Sequence, residues 1–104
     1  MNFQVEFTSR SKKDLKNLPI DIQRIILKES LILESSPYPS KKKIKLIKGI
    51  KFRCYRLRID TEYDTFRLFY GVEKNVVYVL RIVSKKDADK ILKSIRKLDF
   101  PPNI

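Results

Sequence analysis

Between Phe52 and Val83 three apolar-rich runs follow one another with little chain between them: Phe52–Ile59, Thr65–Val72 and Val76–Val83. Each has the length and the β-branched and aromatic content of a strand. Glu73-Lys74-Asn75 leaves room only for a tight hairpin, and Asp60-Thr61-Glu62-Tyr63-Asp64 for a longer, acidic one. Such short connections force neighbouring strands to run antiparallel, because a parallel pair needs a crossover of a dozen residues or more. This third of the chain therefore predicts a three-stranded meander, and the rest must be arranged around it.

The flanking segments read as follows. Phe3, Val5 and Phe7 alternate with Gln4, Glu6 and Thr8, as in a half-buried strand. Ser9 or Ser11 can cap a short helix that contains Leu15 and Leu18. Pro19 suits the first turn of a second helix, whose apolar stripe is Ile22, Ile25, Ile26, Ile32 and Leu33, with Pro37 and Pro39 ending it. Ser84-Lys85-Lys86-Asp87 has the form of a capping box opening a last helix, with Ala88, Ile91, Leu92, Ile95 and Leu98 on its buried face. The predicted order is β-α-α-β-β-β-α, an α+β domain over residues 1–104 with its helices on one face of a mostly antiparallel sheet. At 104 residues the chain has room for one modest core, and 42% hydrophobic residues with only 2 Gly suit a folded domain.

Composition narrows the chemistry. There is no His, so the usual proton carrier near neutral pH is missing. One Cys without His makes a metal site implausible, and Cys54 is expected to pack as a small apolar residue. No cofactor is expected. No apolar run has membrane-span length, and the N-terminus lacks a basic leader followed by an apolar segment, so a reducing, cytoplasmic setting without membrane contact is expected.

Charge is concentrated. The net charge is +12, and nine cations with no acid lie between Lys41 and Arg58: Lys41, Lys42, Lys43, Lys45, Lys48, Lys51, Arg53, Arg56 and Arg58. Alternation places Tyr55, Leu57 and Ile59 on one face of the first meander strand, and Cys54, Arg56 and Arg58 on the other. In the second strand Phe66, Leu68, Tyr70 and Val72 face one way, and Arg67, Phe69 and Gly71 the other. If the helices cover the apolar face, then Arg56, Arg58 and Arg67 converge on the second face, about 5–10 Å apart. An anion bridging them would turn repulsion into attraction. Lys85 and Lys86 add charge at a helix start that already favours phosphate, and Phe69 can stack a base. The pattern points to a polyanion site, with nucleic acid as the ligand. The plainer alternatives are a solvated lysine loop, Arg67 paired with Asp60, Glu62 or Asp64, and Phe69 as core.

Three segments resemble the RelE/ParE superfamily of type II toxin–antitoxin toxins: Cys54-Tyr55-Arg56-Leu57-Arg58-Ile59, Thr65-Phe66-Arg67-Leu68-Phe69-Tyr70, and Val79-Leu80-Arg81-Ile82-Val83-Ser84-Lys85-Lys86. Leu46-Ile47-Lys48-Gly49 is similar to the family's Leu-x-x-Gly lead-in. The resemblance, with the RelE branch favoured, implies a ribosome-dependent mRNA endoribonuclease. Its partners would be the ribosome, mRNA and an antitoxin with an acidic or amphipathic C-terminal segment. Carried onto this chain, it implies Arg56, Arg58, Arg67 and Lys85 or Lys86 as the phosphate-binding and activating residues. Lys41, Lys42, Lys43, Lys45, Lys48, Lys51, Arg53, Phe69 and Arg81 are expected to contact RNA. The chain departs from the family where many RelE-type nucleases carry a Tyr in the last helix, since Asp89 and Leu92 stand nearby. The expected chemistry is metal-free attack of a ribose 2′-OH on the adjacent phosphate, with Lys85 or Lys86 as base or as proton donor to the leaving oxygen. Two alternatives stay open: a ParE-like gyrase inhibitor without nuclease chemistry, and a non-catalytic RNA- or ribosome-binding module.

Overall fold

A computed structural model describes residues 2–39 and 42–103. Its elements are β1 (Gln4–Phe7), α1 (Ser9–Lys16), α2 (Ile20–Ser30) with a 3₁₀ turn Leu31–Glu34, β2 (Ile44–Ile47), β3 (Cys54–Asp60), β4 (Thr65–Glu73), β5 (Val76–Ser84), a 3₁₀ turn Lys85–Asp87, and α3 (Ala88–Ile95). The five strands form one sheet in the order β1-β5-β4-β3-β2. β1 pairs in parallel with β5, and the other three pairings are antiparallel.

The predicted meander is present as β3, β4 and β5. Lys74, at φ 55°, makes the tight β4–β5 turn. The 61–64 loop is closed by Thr61 N–H donating to Asp64 O at 2.9 Å, with the Thr61 hydroxyl donating to the same carbonyl at 2.8 Å. β2 is a strand where the lysine-rich composition predicts only a basic loop. Lys45 pairs with Arg56 and Leu46 with Tyr55, which makes β2 an edge strand beside β3. Gly49, at φ 83°, turns the chain out of β2, a conformation that glycine adopts without strain. The helix starts also differ in detail. Thr8 caps α1 rather than Ser9 or Ser11, its Oγ1 accepting from Ser11 N–H at 3.2 Å while donating to Val79 O at 2.9 Å. One residue thus satisfies a free helix donor and ties α1 to β5. The last helix enters through the Lys85–Asp87 turn, and Ser84 Oγ meets Asp87 Oδ2 at 3.2 Å instead of capping a backbone N–H.

Two cores sandwich the sheet. One face packs Tyr55, Leu57, Ile59, Phe66, Leu68 and Tyr70 under Ile22, Ile26 and Leu33 of the α2 segment, as the alternation required. The Tyr70 hydroxyl donates to Pro37 O at 2.6 Å beneath it. The other face packs Cys54, Phe69 and Leu80 under Ala88, Ile91, Leu92 and Ile95 of α3. The α+β class holds, but the helices do not share one face: α3 covers the side opposite α1 and α2. Helical periodicity marks α3's buried residues without saying which side of the sheet receives them. Phe100 completes this second core, stacked on Phe52 at 4.3 Å and edge-on to Tyr78 at 5.5 Å. Gly71 makes room for it, since a Cβ there would stand 2.5 Å from the Phe100 ring. Cys54 is buried in this core and its thiol pKa is pushed up to about 12 by that burial, as suits a packing residue rather than a reactive one.

Candidate nucleic-acid interface

The α3 side of the sheet is divided. Beyond the part covered by α3 and Phe100, strand register sets charged residues side by side. Lys45, Arg56 and Phe69 are neighbours across β2, β3 and β4, and Arg58 lies directly opposite Arg67 on β3 and β4. The three arginines that alternation selects are therefore brought together. Opposed residues of an antiparallel pair sit about 4.5–5.5 Å apart at Cα, so Arg58 and Arg67 start as a like-charge pair, which weakens a sheet.

Each arginine has a different environment. Arg56 is only 6% exposed. That burial, followed by the charges of Arg67 and Arg58, pushes its guanidinium below the ordinary arginine pKa. Arg58 is exposed, and its Nε lies 3.5 Å from Asp60 Oδ2. Arg67 is half-buried, and its Nε is buried without a hydrogen-bond partner among the described residues. The acidic loop does not neutralise Arg67: the ion pair with Asp60 goes to Arg58. Buried donors are almost always paired, so an unpartnered Nε beside two further guanidiniums marks a place for an acceptor. Burial also holds the fork of Arg56 in one orientation, and planar forks suit the two-point binding of phosphate oxygens.

The remaining predicted residues separate into groups. Lys85 and Lys86 are exposed in the turn that follows Ser84, and Ser84 pairs with Phe66 next to Arg67, so both lysines flank the arginine end of the face. Lys45 joins the arginine rows through its pairing with Arg56. Lys42 and Lys43 are exposed in the turn leading into β2, where Lys43 Nζ meets Glu29 Oε1 at 3.3 Å, and Lys48 and Lys51 are exposed beyond β2. Lys41 lies outside the described residues. Arg53 is exposed, and its side chain turns to Tyr55 of the opposite core, a hydrogen bond that raises its pKa.

Two expectations are corrected. Phe69 is 0% exposed and packs beneath α3, so it is core and no base can stack on it. Arg81 does not face solvent. Its Nε donates to Asp14 Oδ2 at 2.8 Å and its second terminal nitrogen to Oδ1 at 3.2 Å, with the side chains only 13% and 11% exposed. Asp14 Oδ2 also accepts Ile82 N–H at 3.0 Å, which closes the β5 edge where β1 has ended. Arg81 is thus a two-point structural tie between α1 and β5. Its partner Asp14 carries no signal of that role in the sequence.

Arg58 and Lys45 are exposed on this face, and among the described residues the concavities lined by Asp14 and Ile91, Thr8 and Leu98, Phe52 and Phe100, Lys28 and Leu57, and Asn75 and Pro101 do not include Arg56, Arg58 or Arg67. An open basic surface suits a polymer backbone better than a small molecule, which binds in a cleft. Among the described residues no group of three His, Cys, Asp or Glu could hold a metal ion, and no helix is long and apolar enough to cross a membrane.

No family model matches the sequence, and no curated protein matches it. Solved structures do match. A mutant of Escherichia coli toxin RelE in the free state superposes with a TM-score of 0.72 at 24% identity, covering 94% of this chain and 100% of that one. The archaeal RelE–RelB complex from Pyrococcus horikoshii OT3 gives 0.66 at 26% identity, covering 82% of this chain and 97% of its match. The toxin–antitoxin complex RelBE2 from Mycobacterium tuberculosis gives 0.67 at 21% identity, covering 82% and 100%. With its element order, its sheet and its near-complete coverage of the matched chains, the chain has a RelE-like fold.

Proposed function

We propose that this chain is the toxin of a type II toxin–antitoxin system and acts as a ribosome-dependent mRNA endoribonuclease. The observation that carries the reading is the cluster of Arg56, Arg58 and Arg67, where Arg67 Nε is buried and lacks a partner among the described residues. Similarity to a free RelE toxin and to RelB–RelE complexes supports both the toxin assignment and an antitoxin partner. A net charge of +12 calls for an acidic partner when RNA is absent.

In this reading the scissile phosphate lies across the arginine rows. The ribose 2′-oxygen attacks the adjacent phosphorus in line, the P–O5′ bond breaks, and a 2′,3′-cyclic phosphate and a 5′-hydroxyl remain. RNA supplies its own nucleophile, so the protein has to orient it and stabilise the charge that grows on the phosphoryl oxygens. Arg56 and Arg67 are held by burial before substrate arrives, which suits the second task. Lys85 and Lys86 stand at the edge of the face, where an ammonium can protonate the leaving 5′-oxygen.

Cleavage of mRNA on programmed ribosomes tests this. Arg67→Ala is expected to abolish cleavage, and Arg56→Ala and Arg58→Ala to slow it by about 2–4 kcal/mol each, as when an oxyanion donor is removed. Wild-type rates in the Arg67 variant would remove the phosphate from this face. Growth arrest without RNA cleavage would favour the gyrase-directed alternative, and RNA binding without either effect the non-catalytic one.

A further inference from the structure

With no His in the chain and no Tyr in α3, the arginine face still lacks a group to take the proton from the attacking 2′-OH. We infer that Asp60 is that general base, an inference that rests on the nuclease reading above. Asp60 ends β3 on the same face as Arg56 and Arg58, two residues beyond Arg58. It is built into the site at both oxygens: Oδ1 accepts from Thr65 Oγ1 at 3.0 Å, and Oδ2 lies 3.5 Å from Arg58 Nε. Thr65 is its cross-strand partner, so β3 and β4 both fix the carboxylate.

Geometry and chemistry favour it over the other acids. In a near-attack arrangement the nucleophile lies about 3–3.5 Å from the atom it attacks, so a base must stand within side-chain reach of the phosphate holders. Asp60 touches one of them. The contact uses Arg58 Nε and leaves the two terminal nitrogens of the fork for phosphate. The side chain is 53% exposed, so a ribose can approach it, and one hydrogen bond with one ion pair leaves lone pairs free for a proton. Several other carboxylates have partners of their own, none of them an arginine of this face. Asp14 is consumed by Arg81 and Ile82 N–H, Glu29 pairs with Lys43, Asp64 accepts Thr65 N–H, and Asp87 is bonded to Ser84.

The step balances. The 2′-O–H proton passes to Asp60 as the 2′-oxygen forms its bond to phosphorus. The P–O5′ bond breaks with its electron pair on the 5′-oxygen, which takes a proton from an ammonium or from water, and Asp60 returns its proton to solvent. The carboxylate also offsets the charge of Arg58 before RNA binds, a role that would not make it a catalytic residue, and the experiment has to separate the two.

Single-turnover cleavage on mRNA-programmed ribosomes separates them, with affinity read on mRNA carrying a 2′-deoxy nucleotide at the cut. Asp60→Asn keeps the size, can accept from Arg58 Nε through its oxygen while its amide NH2 donates to Thr65 Oγ1, and is expected to lose about 100-fold or more in cleavage rate with affinity not weakened. Asp60→Glu should retain part of the rate. Asp60→Ala should regain rate in formate but not in chloride at equal ionic strength. Arg67→Ala is run alongside. If Asp60→Asn cleaves within about threefold of wild type while Arg67→Ala is dead, Asp60 only steadies Arg58 and the base assignment falls alone. A rate loss that tracks weakened binding, without formate rescue, overturns it equally. Absence of cleavage by the unmodified chain overturns both readings.

Discussion

Arg67→Met should make the protein more stable while it destroys the proposed phosphate site. Arg67 brings two unfavourable features to the free protein: a buried Nε without a partner, and a like charge directly opposite Arg58 and close to Arg56. An unsatisfied buried donor costs about 1–3 kcal/mol. A like-charge cross-strand pair adds about 0.2–1 kcal/mol. Methionine keeps most of the aliphatic stem, so the packing is largely preserved. The expected net gain is about 1–2 kcal/mol, and for a domain of this size each kcal/mol raises Tm by about 4–8 °C. Differential scanning calorimetry at low salt measures it. Inorganic phosphate supplies the second arm. It should raise the Tm of the wild type, by about 2.7 kcal/mol of stability at a hundred times its Kd, and leave the Met variant nearly unmoved. A Tm for Arg67→Met equal to or below that of the wild type would refute the reasoning, since Nε would then be satisfied in solution and the face would carry no stored cost for an anion to relieve.

Two further expectations concern Arg81 and the lysines. Arg81→Ala should cost about 3–5 kcal/mol, read as a lowered urea midpoint, because Asp14 is left nearly buried with Ile82 N–H and the longer 3.8 Å contact to Arg10. RNA affinity of the folded fraction should hold, which an RNA-contacting arginine would not allow. Replacing Lys42, Lys45 and Lys48 with Gln should flatten the salt dependence of RNA binding by about 0.7 in log–log slope for each phosphate no longer neutralised, measured by titration at several salt concentrations. An unchanged slope would make these lysines a solvated edge.

The arginine cluster was legible in the sequence because its logic is local: strand alternation fixes which residues share a face, and two short connections fix which strands are neighbours. The same alternation also held a signal for the second core. Cys54, Phe69 and Gly71 share a face with the arginines, and an apolar set there is what a covering helix needs. A strand period cannot say which helix covers which side. That choice belongs to the crossover from β5 through the Lys85–Asp87 turn, and it makes Phe69 core rather than a stacking surface. β2 escapes for another reason. Its four residues, Ile44–Ile47, are flanked by lysines, which read as loop composition yet are also how exposed edge strands avoid pairing with other chains. The Arg81–Asp14 tie joins residues 67 positions apart and leaves no local trace.

Placing α3 on the arginine side bears on how the site would work. A sheet face left wholly to water would let long cationic side chains swing freely, and ordering them would fall to the moment of RNA binding. Here α3 and Phe100 dry the adjoining part of the face, and Arg56 lies between Lys45 and the buried Phe69 on the flanking strands, nearly removed from solvent. Burying a guanidinium near two others costs stability, as its lowered proton affinity records. A bound phosphate reverses the sign of that cost, and the more so as negative charge grows on its oxygens. Arg56 is thus held nearly out of solvent before any anion arrives, and if this face binds the scissile phosphate as proposed, that is the condition under which electrostatic stabilisation of a transition state is effective.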